Sequence, residues 1–293
     1  MMKKQYIFLL IVLMLLILPA GFTIFWLNKL IAPVNHKIPA SICANFENVE
    51  FRSASGAVLK GWYGHHKHAM ASVMLLHGVR DSRTGMESRA RLLYENNMNV
   101  LLFDFRAHGE STGNNITFGY LESLDAEAAF AFLKKRTSDI RIGAVGFSLG
   151  GAAILLSDDL RCKLDFLIIE ATHATIETAI SNRITMRHGK IWTIFTPFLS
   201  ELLRLRLGIS PEQRQLQPVT EIHKLNCPVF VIGGSDDKRT ILQDSHALFN
   251  AAPEPKYLWI VNRARHENFH KFARKAYEKR VLEFINFTCL TKS

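Results

Sequence analysis

Cysteine is scarce in this sequence of 293 residues: Cys43, Cys162, Cys227 and Cys289 are the whole complement, and no two of them form a C-x-x-C pair. That excludes a disulfide-built scaffold, a zinc ribbon and thioredoxin-like redox chemistry. Acidic residues are also short, 26 against 36 Lys and Arg, and the first 40 residues hold none. Internal repeats, low-complexity linkers, a P-loop, a dinucleotide-binding glycine fingerprint and an EF-hand loop are absent from the sequence, which therefore calls for no nucleotide or calcium cofactor. Apolar residues are plentiful. They make up 48% of the chain against 21% charged, a balance that excludes disorder, collagen and coiled coil.

The apolar content is uneven. Residues 5–27 (QYIFLLIVLMLLILPAGFTIFWL) carry no charge, and Lys3 and Lys4 stand directly before them. A helix of that length covers a hydrocarbon core of roughly 30 Å, whereas the apolar region of a signal peptide runs to about 7–15 residues. The segment reads as a transmembrane anchor. A secretion signal cut after Ala20 is the competing reading, but Leu18-Pro19-Ala20 is a poor small-x-small site. Lys3, Lys4 and the amino terminus against Lys29 and Lys37 tilt the topology to N-terminus inside and the remaining chain, residues 40–293, on the extracytoplasmic side. Of the net charge of +10, the first 40 residues supply four and residues 263–293 five. Phe269, Phe272, Ala273, Ala276, Tyr277, Phe284 and Ile285 recur at helical spacing there, so the basic tail reads as an amphipathic final helix with a solvated face. No nucleic-acid module accompanies it, and nucleic acid is not an expected partner.

Beyond the anchor, NVEFRSASGAVLKGWYG reads as two strands around a Ser-Gly turn, and ASVMLLHG as a buried strand. Helical stretches then alternate with short apolar runs: Met86 to Glu95 before NVLLFDF, Asp125 to Lys135 before RIGAVGF, Leu149 to Leu156 before LDFLIIE, then PVFVIGG, Ile241 to Ala251, YLWIV and the final helix. Such alternation predicts an α/β domain with a mostly parallel sheet covered on both faces. Residues 175–225 interrupt it, too long for a loop. Within them Ile191 to Leu207 is apolar enough for a small helical cap, or else for a helix at a membrane interface. Cys162 and Cys227 each precede a strand, close enough to meet if those strands are neighbours, or to remain two separate thiols.

Gly146-Phe147-Ser148-Leu149-Gly150 is a G-x-S-x-G pattern set between strand RIGAV and a helix. On such a sharp turn a serine projects its hydroxyl, the glycines remove side chains that would clash, and the helix N-terminus lies under developing negative charge. Here the chain resembles the α/β-hydrolase family, in its membrane-anchored bacterial serine hydrolases of the prolyl-oligopeptidase-like and acyl-protein-thioesterase-like branch. LLHGVRDSR is similar to the family's oxyanion-loop strand, DFRAHGES to its D-x-R-G-x-G-x-S turn with Ala107 in place of the first glycine, CPVFVIGGSDD to the strand bearing the acid, and WIVNRARH to the segment bearing the histidine. The resemblance implies Ser148 as nucleophile, His266 as base, and the backbone amides of Val79 and Leu149 as oxyanion donors. For the acid, Asp236 and Asp237 both stand in place, and the family's strand-Gly-x-x-Asp spacing from Gly234 selects Asp237. It implies no cofactor and no metal.

His266-Glu267-Asn268-Phe269-His270 also satisfies H-E-x-x-H, which on a helix would set two histidines on one side for zinc. Only 23 residues follow to supply a third ligand, and zinc would leave Ser148 and Asp237 unexplained. His65, His66 and His68 read as a solvated turn, His77 and His108 as structural, and His173 as a pocket residue. The expected protein is an anchored serine hydrolase cleaving an ester or thioester of a small or lipid-like acyl substrate. A short-peptide peptidase and a catalytically silent scaffold are the alternatives.

Overall fold

The computed structural model describes Tyr6 and residues 27–40, 45–137, 140–209 and 216–290. Among them no helix is long and apolar enough to cross a membrane. The proposed anchor, residues 5–27, lies outside the described residues except for Tyr6 and Leu27.

The described residues form ten strands: β1 (Val34–Asn35), β2 (Phe46–Arg52), β3 (Val58–Gly64), β4 (Ala71–Leu76), β5 (Met98–Phe103), β6 (His108–Gly109), β7 (Arg141–Phe147), β8 (Phe166–Glu170), β9 (Val229–Gly234) and β10 (Lys256–Val261). Eight of them make one sheet in the order β10-β9-β8-β7-β4-β5-β3-β2. The six from β10 to β5 pair in parallel, and β3 and β2 add an antiparallel edge. Strands β4, β5, β7, β8 and β9 are continuous apolar runs because each face has its own cover. Met74 and Leu76 of β4 enter one core with α2 (Glu122–Arg136) and α3 (Leu149–Leu156). Val73 and Leu75 enter the other with α1 (Glu87–Glu95) and α8 (Arg274–Leu290).

The chain leaves β4 for β5 on one side and returns to β7 on the other. A crevice therefore opens at the C-terminal ends of β4 and β7, where open α/β sheets place their ligands. The register pairs Leu76 with Gly146, so His77-Gly78-Val79 and Phe147-Ser148-Leu149 emerge side by side.

The folded body reaches back past residue 40, where the sequence pattern began the domain. Leu27 and Ile31 are buried, β1 pairs in parallel with β6, and the Asn35 side-chain amide donates to the carbonyls of Gly109 and Ser111 at 3.3 and 2.7 Å. Residues 175–225, where described, are largely helical. Thr175 caps α5 (Ile176–His188) in a reciprocal box with Thr178, a 3-10 turn spans Lys190–Phe195, and α6 (Thr196–Leu207) follows with Gly208 closing it at φ 68°. The tail departs from the single predicted helix. Asn268 caps a short turn, Phe269–Phe272, and the backbone breaks at Ala273 before α8. The break shifts the phase, so Phe272 and Ala276 face outward while Tyr277, Val281, Phe284 and Ile285 pack on the sheet. Cys162 is exposed and Cys227 buried, and no disulfide joins them.

One buried ion cluster ties α1 and α8 to the end of β8. Arg89 on α1 donates to Glu170 at the end of β8, with Nε at 3.0 Å from Oε1, and the Tyr277 hydroxyl of α8 donates to the same carboxylate. Burial works against the Arg89 charge, and Glu170 and Tyr277 more than restore it. Replacing Arg89 by leucine leaves a buried carboxylate without its cation, and the protein is expected to lose about 3–5 kcal/mol. A denaturant melt checks this, and adding Glu170→Leu should recover much of the loss. A single variant within about 0.5 kcal/mol of the parent would show that the cluster carries no such burden.

Candidate active site

Ser148 stands between β7 and α3 at φ 52°, ψ −108°, a conformation an L-residue holds only under strain. Its amide donates to the Glu170 carbonyl at 2.8 Å, and its side chain makes no cap hydrogen bond to α3. The glycines of the motif are required by proximity. A Cβ on Gly146 would lie 2.5 Å from the Gly151 nitrogen, and one on Gly150 2.3 Å from the Leu76 carbonyl oxygen. Both obstacles are backbone and cannot rotate away. Gly150→Ala is therefore expected to cost at least about 1–3 kcal/mol, read as a fall in melting temperature; an unchanged midpoint would mean that the elbow is not packed this tightly.

Ser148 and Leu149 line a cavity with Val79 from the β4 loop, His173 beyond β8, and Ile176 and Leu203 from α5 and α6. As the first residue of α3, Leu149 has an amide that no turn of the helix can use. The cavity volume is about 20 Å³, room for one water molecule.

The β4 loop is held by two neutral imidazoles. His77 Nδ1–H donates to the Gly78 carbonyl at 2.8 Å while Nε2 accepts the Phe105 amide at 3.0 Å. His108 repeats the arrangement, with Nδ1–H on the Arg106 carbonyl at 2.8 Å and Nε2 accepting the Arg80 amide at 3.1 Å. In each ring the second nitrogen faces a donor, which leaves no place for another proton. Burial accordingly pushes His77 down to about 4 and His108 to about 3. His173 is buried as well. Among the described residues its Nε2 has no hydrogen-bond partner, and burial, then the charges of Arg183 and His266, lower it to about 3.

These three shifts set an acid limit on stability. An unfolded histidine takes its proton near pH 6.5, whereas the folded rings stay neutral to about 4 or below. Stability is therefore complete above pH 7 and falls as pH drops from 6.5 toward 4, by about 1.4 kcal/mol per pH unit for each ring. Thermal melts at pH 7.5, 6, 5 and 4.5 should show a steepening loss, and a flat profile down to pH 5 would contradict the neutral assignments.

The loop after β9 carries Asp237, and the loop after β10 carries His266. His266 Nδ1 lies 2.7 Å from Asp237 Oδ2. Asp236, the other sequence candidate, is exposed and, among the described residues, accepts only from Ser235. Asp237 is tightly held: Oδ1 accepts the amides of Arg239 at 2.7 Å and Thr240 at 3.0 Å, and Oδ2 accepts the Thr240 hydroxyl at 2.7 Å. Burial pushes this carboxyl up, but the hydrogen bond and charge of His266, with Thr240, outweigh it and hold it below the usual range. The His266 ring sits 5.1 Å from that of Phe147, the residue before Ser148.

Thr240, Leu30, Phe118 and Arg183 are among the contributors that sequence reasoning did not find. Asp237-x-x-Thr240 has the spacing of a side-chain-closed turn, which is the signal Thr240 leaves in the sequence. Leu30 lines the cavity from the approach to the apolar run and leaves none. Ala107 adopts φ 58° in the turn where the resemblance expected glycine, and that turn forms with the methyl in place. The H-E-x-x-H reading fails on geometry. His266 lies in a loop facing Asp237, whereas His270 begins the next helical turn and turns Nε2 to Glu278 at 3.0 Å. Among the described residues no group of three or more His, Cys, Asp or Glu side chains is placed to hold a metal ion.

A parallel sheet with an antiparallel edge, a strand-serine-helix elbow at its switch point, and an acid and a histidine at the ends of the last two strands together define the α/β-hydrolase fold, and the chain has that fold. A family model described as serine aminopeptidase, S33 matches residues 67–204. Protein YqkD of Bacillus subtilis is 27% identical over 237 residues, 80% of this chain and 77% of that one. Protein YfhR of Escherichia coli is 26% identical over 250 residues, 82% of this chain and 80% of its own. Among solved structures, the Pyrococcus furiosus esterase Pf2001 superposes with a TM-score of 0.70 at 22% identity, covering 87% of this chain and 97% of the esterase.

Proposed function

We propose that this α/β-hydrolase is a membrane-anchored serine hydrolase that cleaves carboxylic esters or thioesters of apolar acyl chains. The observation that carries the proposal is Ser148 at its strained elbow, lining a cavity with Ile176, Ile180, Leu203 and Arg183 of the cap, while the His266–Asp237 pair brings the His266 ring to 5.1 Å from that of Phe147. In the reaction, Ser148 Oγ attacks the acyl carbonyl as His266 Nε2, the nitrogen turned away from Asp237, takes its proton. The amides of Val79 and Leu149 receive the developing oxyanion. The leaving alkoxide or thiolate takes the proton from His266, and the acyl-enzyme is hydrolysed by water activated at the same imidazole. Asp237 fixes the imidazole tautomer and balances its positive form. Residues 5–27 anchor the chain, with Lys3 and Lys4 on the inner side and the catalytic domain outside. A cavity of about 20 Å³ is too small for an acyl chain, so its walls must open for substrate to enter.

The serine aminopeptidase description of the matched family supports a second reading, cleavage of short peptides. Two assays decide between them on one preparation: p-nitrophenyl esters of increasing chain length, and aminoacyl amides. Faster turnover of the longer esters supports the ester reading, and turnover of the amides alone would overturn it in favour of the peptidase. Covalent capture by a fluorophosphonate probe is expected in either case; its absence would remove serine catalysis altogether.

A further inference from the structure

The cap is apolar on two sides. Thr196, Ser200 and Leu203 are buried on the inner side of α6, where Leu203 helps close the cavity over Ser148. The outer side carries Ile191, Ile194, Phe195, Phe198 and Leu205, a helical recurrence running from the 3-10 turn into α6, with Trp192 beside it. Ile191 is 82% exposed, Ile194 77% and Leu205 73%. Single apolar residues are ordinary on a protein surface, whereas apolar residues clustered in this way mark an interaction site.

Three observations name the partner. Between Glu177 and Glu201 the sequence has no acidic residue but does have Arg187 and Lys190, both exposed, so the stripe starts beside positive charge of the kind that anionic headgroups attract. Trp192, its ring 6.0 Å from that of Phe195, is the residue type that settles at the headgroup level of a bilayer. The uncharged segment 5–27 ends on this same cap: Leu27 and Ile31 are buried in one cluster with Leu203, and Arg206 Nε donates to Asn28 Oδ1 at 3.1 Å. A second apolar surface thus lies beside the point where the anchor leaves the domain.

We propose that the outer face of the cap is a bilayer-docking surface, seated in the interface of a phospholipid membrane with anionic headgroups. Docking leaves only the cap between the lipid and the cavity over Ser148, so the enzyme draws its acyl substrate from the membrane rather than from water. The proposal rests on the anchor reading above, and its test keeps the two apart.

The full chain is reconstituted in vesicles of phosphatidylcholine and phosphatidylglycerol in equal parts, the phosphatidylcholine brominated on its acyl chains. Trp192 is read as the difference in fluorescence between the parent and Trp192→Phe. Blue-shifted emission quenched by the brominated chains is the expected result. The triple variant Ile191→Glu, Ile194→Glu, Phe198→Glu should abolish the quenching and slow hydrolysis of a vesicle-borne long-chain ester by on the order of tenfold, with turnover of a water-soluble short ester unchanged. Trp192 open to aqueous iodide and untouched by bromine would overturn the proposal. So would a Trp192 shielded from both quenchers in a chain that cross-links as a dimer, since the face would then meet a second copy. An alkaline wash tests the anchor separately. A chain that resists the wash with Trp192 unquenched overturns docking and leaves the anchor, whereas one that washes off after showing quenching supports docking and overturns the anchor.

Discussion

Ester hydrolysis is expected to fall by on the order of a millionfold when Ser148 is replaced by alanine, toward the residual rate that oxyanion stabilisation and binding alone sustain. The magnitude follows from what the hydroxyl does and what it does not do. Ser148 Oγ makes no cap hydrogen bond to α3, and the turn is held through the backbone, by the Ser148 amide on the Glu170 carbonyl. Alanine can take the same φ of 52° at the same strain, so the melting temperature should scarcely move. Loss of activity without loss of stability is the signature of a nucleophile. It separates Ser148 from Gly150, whose substitution should lower both together. Retention of activity within tenfold in the alanine variant would sink the assignment, and fluorophosphonate capture undiminished in that variant would place the nucleophile elsewhere.

The elbow was legible in the sequence because every constraint on it is local. A strand, two glycines and a helix within a dozen residues leave a serine between them few other conformations, and the backbone atoms that a Cβ on Gly146 or Gly150 would strike explain the residue types. The sheet was legible for a related reason, since strands buried on both faces read as unbroken apolar runs. Asp237 and His266 come from loops 29 residues apart in sequence; chain order and the family's spacing pointed to them, but only the parallel pairing of Val261 with Gly234 shows why their loops meet. What escaped the sequence depends on partners far along the chain. Leu27, Leu30 and Ile31 look like the tail of an apolar run until Ile116 and Leu203 are seen packed around them. Phe272 fits the helical period of the tail, yet the break at Ala273 rotates it to the surface, and no glycine or proline marks that break. The cap could be read as a lid or as an interfacial helix because one stretch carries two apolar faces, and periodicity alone does not say which face meets the protein.

Asparagine in place of Asp237 should lower kcat by on the order of ten-thousandfold while leaving the fold intact, an effect that rests on which atoms accept hydrogen bonds. Asp237 Oδ1 accepts two backbone amides, from Arg239 and Thr240. The asparagine carbonyl must therefore keep that position, which puts its NH₂ where Oδ2 stood, facing Thr240 Oγ1 and His266 Nδ1. A donor there obliges His266 Nδ1 to become the acceptor and moves the ring proton to Nε2, the atom that has to receive the proton of Ser148. The imidazole then stands in the tautomer that cannot act as base, and its cationic form loses the balancing carboxylate. Because His266 and Thr240 hold the Asp237 carboxyl below the usual range, the parent enzyme carries the ionised acid throughout neutral pH, and protonation of Asp237 contributes nothing to its loss of activity between pH 7 and 5. Thr240→Val removes one donor to Oδ2 and leaves the carboxylate. It should cost only about tenfold, with the acid limb of the rate profile displaced rather than the plateau abolished. Asp236→Asn, at an exposed carboxylate that accepts from Ser235, should change neither. Kinetics of the three variants on one soluble ester, with melting temperatures alongside, test the arrangement. An Asp237→Asn enzyme within tenfold of the parent would remove the carboxylate from the mechanism, whereas a large loss shared equally by Asp236→Asn would move the effect from hydrogen-bond geometry to the charge of the loop.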